Sequence, residues 1–300
     1  MKAREIKQKI GSVQNISKIT NAMGLVSAVK MGKAQNLAIN SRPFALRVYQ
    51  ILKKLSHHQK KEGLASPYFK EENAKKILAV VISSDKGFCG PFNKNLLNFA
   101  QKKIKEMEAS AEVEVMAIGK KSAVFFKNKG YKVRFEFSGI GDFGKIDEAR
   151  PIADLLVRHF GKDYQKVCLF FTNFVTTLTQ QPWVVQILPV REDVFEKMLR
   201  EHSPKGSKEM EPEPYLEYVF EPGVEDIFDS LVPELVTFEI YHSILEANAS
   251  EHSARMIAMK NASDNARDVI KILILDYNKA RQEQITSELG EITSAKEAIS

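Results

Sequence analysis

LVPELVTFEIYHSILEANASEHSARMIAMKNASDNARDVIKILILDYNKA, residues 231–280, decides the architecture. From Glu234 to Ser300 there is no proline and only one glycine, Gly290. Alternating steps of four and three from Leu231 land on Leu235, Phe238, His242, Leu245, Ala249, His252, Met256, Met259, Ser263, Ala266, Ile270, Leu273, Tyr277 and Ala280. Most of these residues are apolar or small, and the register never slips. Such a seam needs a partner helix. At 1.5 Å per residue, a helix from Glu234 to Leu289 runs roughly 80 Å, wider than an ordinary globular domain.

The other end of the chain supplies a partner. Ile6, Val13, Ile16, Ile19, Met23 and Val26 form an apolar stripe on a helix, and Gly24, Ser27, Ala28, Gly32, Ala34 and Ala38 keep it slim. Arg42-Pro43 predicts a kink before the helix resumes through LRVYQILKKL. Charge points to the same pairing. Residues 1–61 hold thirteen Lys or Arg and one acid, Glu5, whereas residues 234–300 hold eleven acids against seven bases. Helices from opposite ends of a chain, with one domain between them, most simply pair antiparallel. A basic arm also suits an acidic partner: nucleic acid, a membrane surface or another protein.

The middle is different in kind. KILAVVISSD (76–85), VEVMAIG (113–119), KVRFEF (132–137), VCLFF (167–171) and WVVQILPV (183–190) read as strands. NKNLLNFAQKKIKEM (93–107), KSAVFFKNKG (121–130) and IDEARPIADLLVRHF (146–160) read as helices. This order predicts a Rossmann-like α/β domain with a mainly parallel sheet and right-handed crossovers. The expected fold class is therefore α/β with a long coiled coil, in which an antiparallel pair of terminal helices flanks a central domain. Its parts are an N-terminal helix at 1–61, a central domain at 75–200 and a C-terminal helix at 215–300. Polar segments at 62–74 and 201–214 read as linkers.

The 300-residue chain, with net charge +6, has the composition of a folded globular protein. Cys89 and Cys168 lie far apart and give neither a disulfide framework nor a metal spacing, which suits a reducing cytosol. The opening MKAREIKQKI is charged at every second or third position, unlike a secretory signal. The uncharged run 167–190 is long enough to span a bilayer. Thr/Gln clusters and Pro182 break it, so it reads as two buried strands joined by a polar turn.

GIGDFGKI (139–146) resembles a phosphate cradle. It matches G-x-G-x-x-G, and also a P-loop up to the last residue. A P-loop needs Ser or Thr where Ile146 stands. The dinucleotide fingerprint closes the first strand of its unit and has an acid ending the next strand; here it follows the third strand, and Asp163 follows a helix. Glycines are also common at strand-to-helix turns for backbone reasons alone. His57 and His58 sit in a basic stretch, and His242 and His252 fall on the seam, where a packed polar layer is the plainer reading. SSDKGFCG (83–90) reads as a tight strand-to-helix connection. No catalytic residue, cofactor-binding residue or metal ligand is assigned, and no cofactor is expected.

Three separated blocks, in order, resemble the γ subunit of the F-type ATP synthase. They are REIKQKIGSVQNISKITNAMGLVSAVKM at the start, SSDKGFCGPFN in the middle, and EHSARMIAMKNASDNA with YNKARQEQITSEL at the end. In the middle block Lys86, Phe88 and Pro91 replace the family's usual Arg, Leu and Gly. The resemblance implies a rotating central stalk that couples ion flow through a membrane c ring to ATP synthesis or hydrolysis on β subunits. The implied partners are three α and three β subunits, an ε subunit and the c ring, with no nucleic acid. The implied location is peripheral, at the cytoplasmic face of a bacterial membrane. By the same resemblance Met23, Lys30, Arg281 and Gln282 are expected to meet the surrounding ring. Gly24 beside Met23 departs from the family pattern. Tyr218 and Glu221 in YVFEP are expected to meet the c ring, with Phe220 in place of the common Tyr. A slim shaft with a polar outer face suits rotation inside a collar.

Two other classes remain open at this point. The basic arm suits a coiled-coil nucleic-acid binder, although only Phe44 and Tyr49 lie among its bases to stack on. The glycine loop suits a nucleotide-dependent enzyme.

Overall fold

The computed structural model describes residues 3–62, 68, 74–190 and 223–299. The described chain runs α1 (Ala3–Glu62), β1 (Lys76–Ile82), α2 (Phe92–Glu108), β2 (Glu112–Ile118), α3 (Lys120–Asn128), β3 (Val133–Phe137), α4 (Ile146–His159), β4 (Lys166–Phe174), β5 (Gln180–Leu188) and α5 (Val224–Ile299). Two compact units result: Met1–Val29 with Arg255–Ser300, and Lys30–Ala254.

The larger unit is built on one five-stranded sheet of order β3-β2-β1-β4-β5. The pairs β1–β2, β1–β4 and β2–β3 are parallel, and only β4–β5 is antiparallel. In β1, KILAVVI, six consecutive residues are buried, because helices cover both faces. Leu78, Val80 and Ile82 pack towards α4 and α5 with Ile152, Leu156, Val236 and Ile240. Ile77, Ala79 and Val81 pack towards α2 and α3 with Leu96, Ile104 and Phe126. Each large aliphatic side chain fully buried this way contributes about 1.5–3 kcal/mol. Pro182 sits in β5, an edge strand, where a missing N–H costs least.

Glu114 is one of the acids buried in this framework. Glu114 on β2 is 1% exposed and accepts a hydrogen bond from the Tyr164 hydroxyl. Lys76 Nζ lies 2.9 Å from its carboxylate, and Lys132 pairs with it from the other side. Burial pushes the Glu114 pKa up, but the hydrogen bonds from Lys132, Tyr164 and Lys76 outweigh it and hold the group at about 2.

The smaller unit is an antiparallel helix pair. Ser17 Oγ lies 3.3 Å from Ser263 Oγ, and Gly24 faces Met259 and the Met256 carbonyl, so α1 numbers rise as α5 numbers fall. Along α5 the predicted seam supplies the least exposed residues from Met259 to Ala280, whereas nearer the sheet off-seam residues such as Val236, Ile240 and Ser253 are buried too. The α1 stripe departs in part from the one the sequence predicts: Ile6, Val13 and Met23 are sheltered as expected. Ile16, Ile19 and Val26 are 52%, 59% and 54% exposed. The sheltered row is Ile6, Ile10, Val13, Ser17, Thr20, Gly24 and Ser27. A close pair selects small side chains for its seam, which leaves the bulky ones outside. α1 also runs through Pro43 without interruption in its helical assignment, and α5 through Pro233.

Candidate functional site

In a doubly wound sheet, ligands bind at the carboxyl ends of the strands where the strand order reverses. Here that point lies between β1 and β4, and α5 fills it. Ser250 Oγ donates to the Thr172 carbonyl at 3.1 Å, and the Glu246 carboxylate accepts the Phe174 N–H at 3.0 Å. Ser253 Oγ donates to the Thr177 carbonyl at 2.6 Å. Ala254 packs on Cys89 and Phe92. The place where a relative of this architecture holds a nucleotide is taken by the protein's own helix.

The glycine loop 139–144 takes part in the same packing. The Gly139 N–H donates to Asp85 Oδ2 at 2.7 Å, and Asp85 Oδ1 accepts the Lys120 N–H at 2.8 Å. Asn248 Nδ2 donates to the Gly141 carbonyl at 3.1 Å. Gly144 has φ +46°, and a Cβ there would come 3.2 Å from Ile244 Cγ2. Glu148 accepts from the Lys145 N–H at 2.9 Å and caps α4. Gly144 therefore serves the loop's approach to α5, and the loop docks on that helix through Asn248.

Asp142 occupies the crown of this loop. Lys30 Nζ of α1 donates to its Oδ2 at 2.5 Å, and His252 Nε2 of α5 lies 3.3 Å from its Oδ1. Burial raises the Asp142 pKa, but the Lys30 hydrogen bond and the charges of His252, Lys30 and Lys86 outweigh it, so the group stays ionised. Lys33 Nζ stands 4.1 Å over the Phe143 ring. His242, the other seam histidine, has Nδ1 3.3 Å from Ser41 Oγ and stacks on Phe238. Both seam histidines thus lie in packed polar layers. Among the described residues no group of three or more His, Cys, Asp or Glu is placed to hold a metal ion. Cys89 and Cys168 are both buried and form no disulfide, and burial pushes the Cys168 thiol up to about 11.

The helix pair presents a second surface. Its outer face is more apolar than the sequence predicts. Ile16, Ile19, Leu25, Val26 and Val29 on α1 are exposed, as are Val269, Ile272 and Leu275 on α5. Counting back from the Ser17–Ser263 pair, Ala3 comes level with Tyr277. Beyond Ala280 every position described from 281 to 294 is exposed, with no partner helix among the described residues. Arg281 and Gln282 open this single-helix tip, which also carries exposed Ile285, Leu289 and Ile292. Met23 is half-buried in the pair, and its carbonyl accepts the Ser27 hydroxyl at 2.8 Å. Lys30 belongs to the larger unit, on Asp142. Tyr218 and Glu221 lie outside the described residues. The Asp142 clasp and the buried Glu114–Tyr164 cluster were missed in the sequence. Only the position of Asp142 inside the glycine loop hinted at the first.

No described helix is long and apolar enough to cross a membrane. A family model described as ATP synthase matches residues 2–299. The ATP synthase gamma chain of Pelotomaculum thermopropionicum is 35% identical over 297 residues, covering 99% of this chain and 98% of that one. That of Herpetosiphon aurantiacus is 36% identical over 305 residues, again covering 99% and 98%. The central stalk and c-ring structure of the Tetrahymena thermophila mitochondrial ATP synthase matches with TM-score 0.62 and 23% identity, covering 82% of this chain and 99% of that one. A chain of the Euglena gracilis enzyme, in its OSCP/F1/c-ring structure, matches with TM-score 0.65 and 17% identity, covering 99% and 94%. The structural likenesses speak to the fold; the sequence relatives, matched end to end, decide the family. This chain belongs to the ATP synthase gamma chain family.

Proposed function

We propose that the protein is the rotating central stalk of an F-type ATP synthase, coupling ion flow through a membrane c ring to ATP synthesis or hydrolysis on β subunits. One observation carries this reading beyond family membership: an antiparallel pair whose α5 seam holds register to Ala280, then continues as a single-helix tip. A paired shaft resists twisting, and a narrow tip fits a central bore. The stalk and c-ring assemblies of the structural neighbours support the same assignment.

In this role the chain has no catalytic site of its own. The filled crevice between β1 and β4 supports that, with the chemistry placed on neighbouring subunits. Its partners are three α and three β subunits, an ε subunit and the c ring, and its place is peripheral, at the cytoplasmic face of a bacterial membrane. Met23, Arg281 and Gln282 serve as contacts to the surrounding ring, and Lys30 meets it with its charge already balanced by Asp142. Tyr218 and Glu221 serve as contacts to the c ring. The exposed isoleucines and valines of α1 support a ring whose inner wall is itself partly apolar.

The test is the composition of the native assembly. The chain is tagged in the central domain, extracted gently from membranes and weighed by native mass spectrometry. One copy with three each of two larger nucleotide-binding subunits is the expected result. Recovery alone, or bound to nucleic acid, overturns the reading.

A further inference from the structure

The ends of β1, β2 and β3 meet at Asp85, and both long helices reach the loop at a second carboxylate, Asp142. Asp85, at the end of β1, anchors the loop through the Gly139 N–H and the start of α3 through the Lys120 N–H. The loop then reaches α5 through Asn248 and through the close face of Gly144. At its crown, Asp142 accepts a hydrogen bond from Lys30 of α1 on Oδ2, and His252 Nε2 of α5 stands 3.3 Å from Oδ1. Both contacts lie within the larger unit, Lys30–Ala254. Asp142 therefore touches both long helices inside that unit.

We infer that Asp142 is a positioning residue that clasps α1 and α5, within the larger unit, to the 139–144 loop and to each other. The α5 side of this anchorage is broad, with Glu246, Asn248, Ser250 and Ser253 all bonded to the domain. Among the described residues the α1 side holds Lys30 on Asp142, Lys33 over Phe143 and Ser41 beside His242. Loss of the clasp thus removes an α1 contact while those four α5 bonds remain, and twist applied to the sheet then reaches the two helices unequally. This consequence rests on the stalk reading; the clasp itself does not.

The experiment has two arms that fail separately. In the first, amide hydrogen exchange is followed in the full chain for wild type, Asp142→Asn, Lys30→Met and the swap Asp142→Lys with Lys30→Asp. Asp142→Asn is expected to speed exchange on α1 around residues 27–38 by roughly fivefold, as loss of a partly exposed ion pair allows, with little change on α5 or in the sheet. Lys30→Met reproduces the α1 effect and the swap restores protection. Unchanged exchange overturns the clasp. Uniform loss of protection across the sheet also overturns it, since Asp142 would then support the whole domain. In the second arm, the assembled complex is driven by ATP and the torsional stiffness of the stalk is read from the angular fluctuation of a bead. Lower stiffness in Asp142→Asn supports the clasp acting in torque transfer; equal stiffness overturns that role. A wild-type complex that never assembles counts against the stalk reading alone, while the exchange data still judge the clasp.

Discussion

Gly24 meets Met259 across the antiparallel helix pair: a Cβ on Gly24 would stand 3.6 Å from the Met259 Cβ. That is ordinary contact distance, so one methyl fits and a branched chain does not. Gly24→Ala is expected to stabilise the pair by up to about 1 kcal/mol through helix propensity. Gly24→Leu is expected to cost about 1–3 kcal/mol by prying the helices apart. Hydrogen exchange of α1 amides near residue 24 reports both. A loss of protection in Gly24→Ala would show the seam to be tighter than this geometry.

Gly119 has no such freedom. Its φ is +95°, and a Cβ would fall 2.1 Å from the Ser83 carbonyl oxygen. Gly119→Ala combines strain with a clash against backbone, and a loss on the order of 3 kcal/mol or more is expected. Urea denaturation followed by circular dichroism measures it. Near-wild-type stability would mean that β1 and β2 can separate at their ends.

Two buried glutamates respond to pH in opposite senses. The folded pKa of Glu114 is depressed to about 2, so its stabilisation is present above the ordinary carboxylate pKa and is lost as pH falls from about 4.5 towards 2. Glu239 on α5 is pushed up to about 8 by burial, so stability is full below pH 4.5 and is lost as pH rises towards 8. Glu114→Gln is expected to flatten the acid limb of the stability curve by on the order of 2 kcal/mol. Glu239→Gln is expected to remove a loss of similar order on the alkaline side. Urea midpoints at pH 3, 5, 7 and 9 separate the two. A Glu239→Gln curve parallel to wild type above pH 5 would show that the acid is ionised in the fold.

Arg281 is exposed at the start of the single-helix tip. Arg281→Ala is expected to leave the melting of the isolated chain unchanged. In the assembled enzyme a moderate loss of coupled ATP synthesis is expected, because many contacts share the load. A normal synthesis rate would remove Arg281 from the working surface.

The sequence showed α5 more clearly than α1, for a physical reason. On α5 the seam residues are mostly larger than their neighbours' polar side chains, so period and size agree from Leu231 to Ala280. On α1 they disagree. Its seam holds Ser17, Thr20, Gly24 and Ser27, and the bulky Ile16, Ile19 and Val26 face outward. A rule that turns the largest apolar residues inward fails wherever two backbones must come close. The strands were legible because β1 and β4 are covered on both faces. Glu114 was not, since a charge in a strand reads as solvent-facing until Lys76, Lys132 and Tyr164 are seen around it. The glycine loop showed the converse: a real motif shape, with α5 standing where a phosphate would.

The Ser17–Ser263 contact joins residues 246 positions apart. On a ribosome making roughly 5–20 residues per second, α1 waits on the order of ten seconds or more for the strand of chain that will cover it. During that interval its seam is open to water and to every other nascent chain. From Ser17 to Ser27 the waiting seam is serine, threonine and glycine, which attract little, whereas Ile6, Ile10 and Val13 stay uncovered until the end of α5 is made.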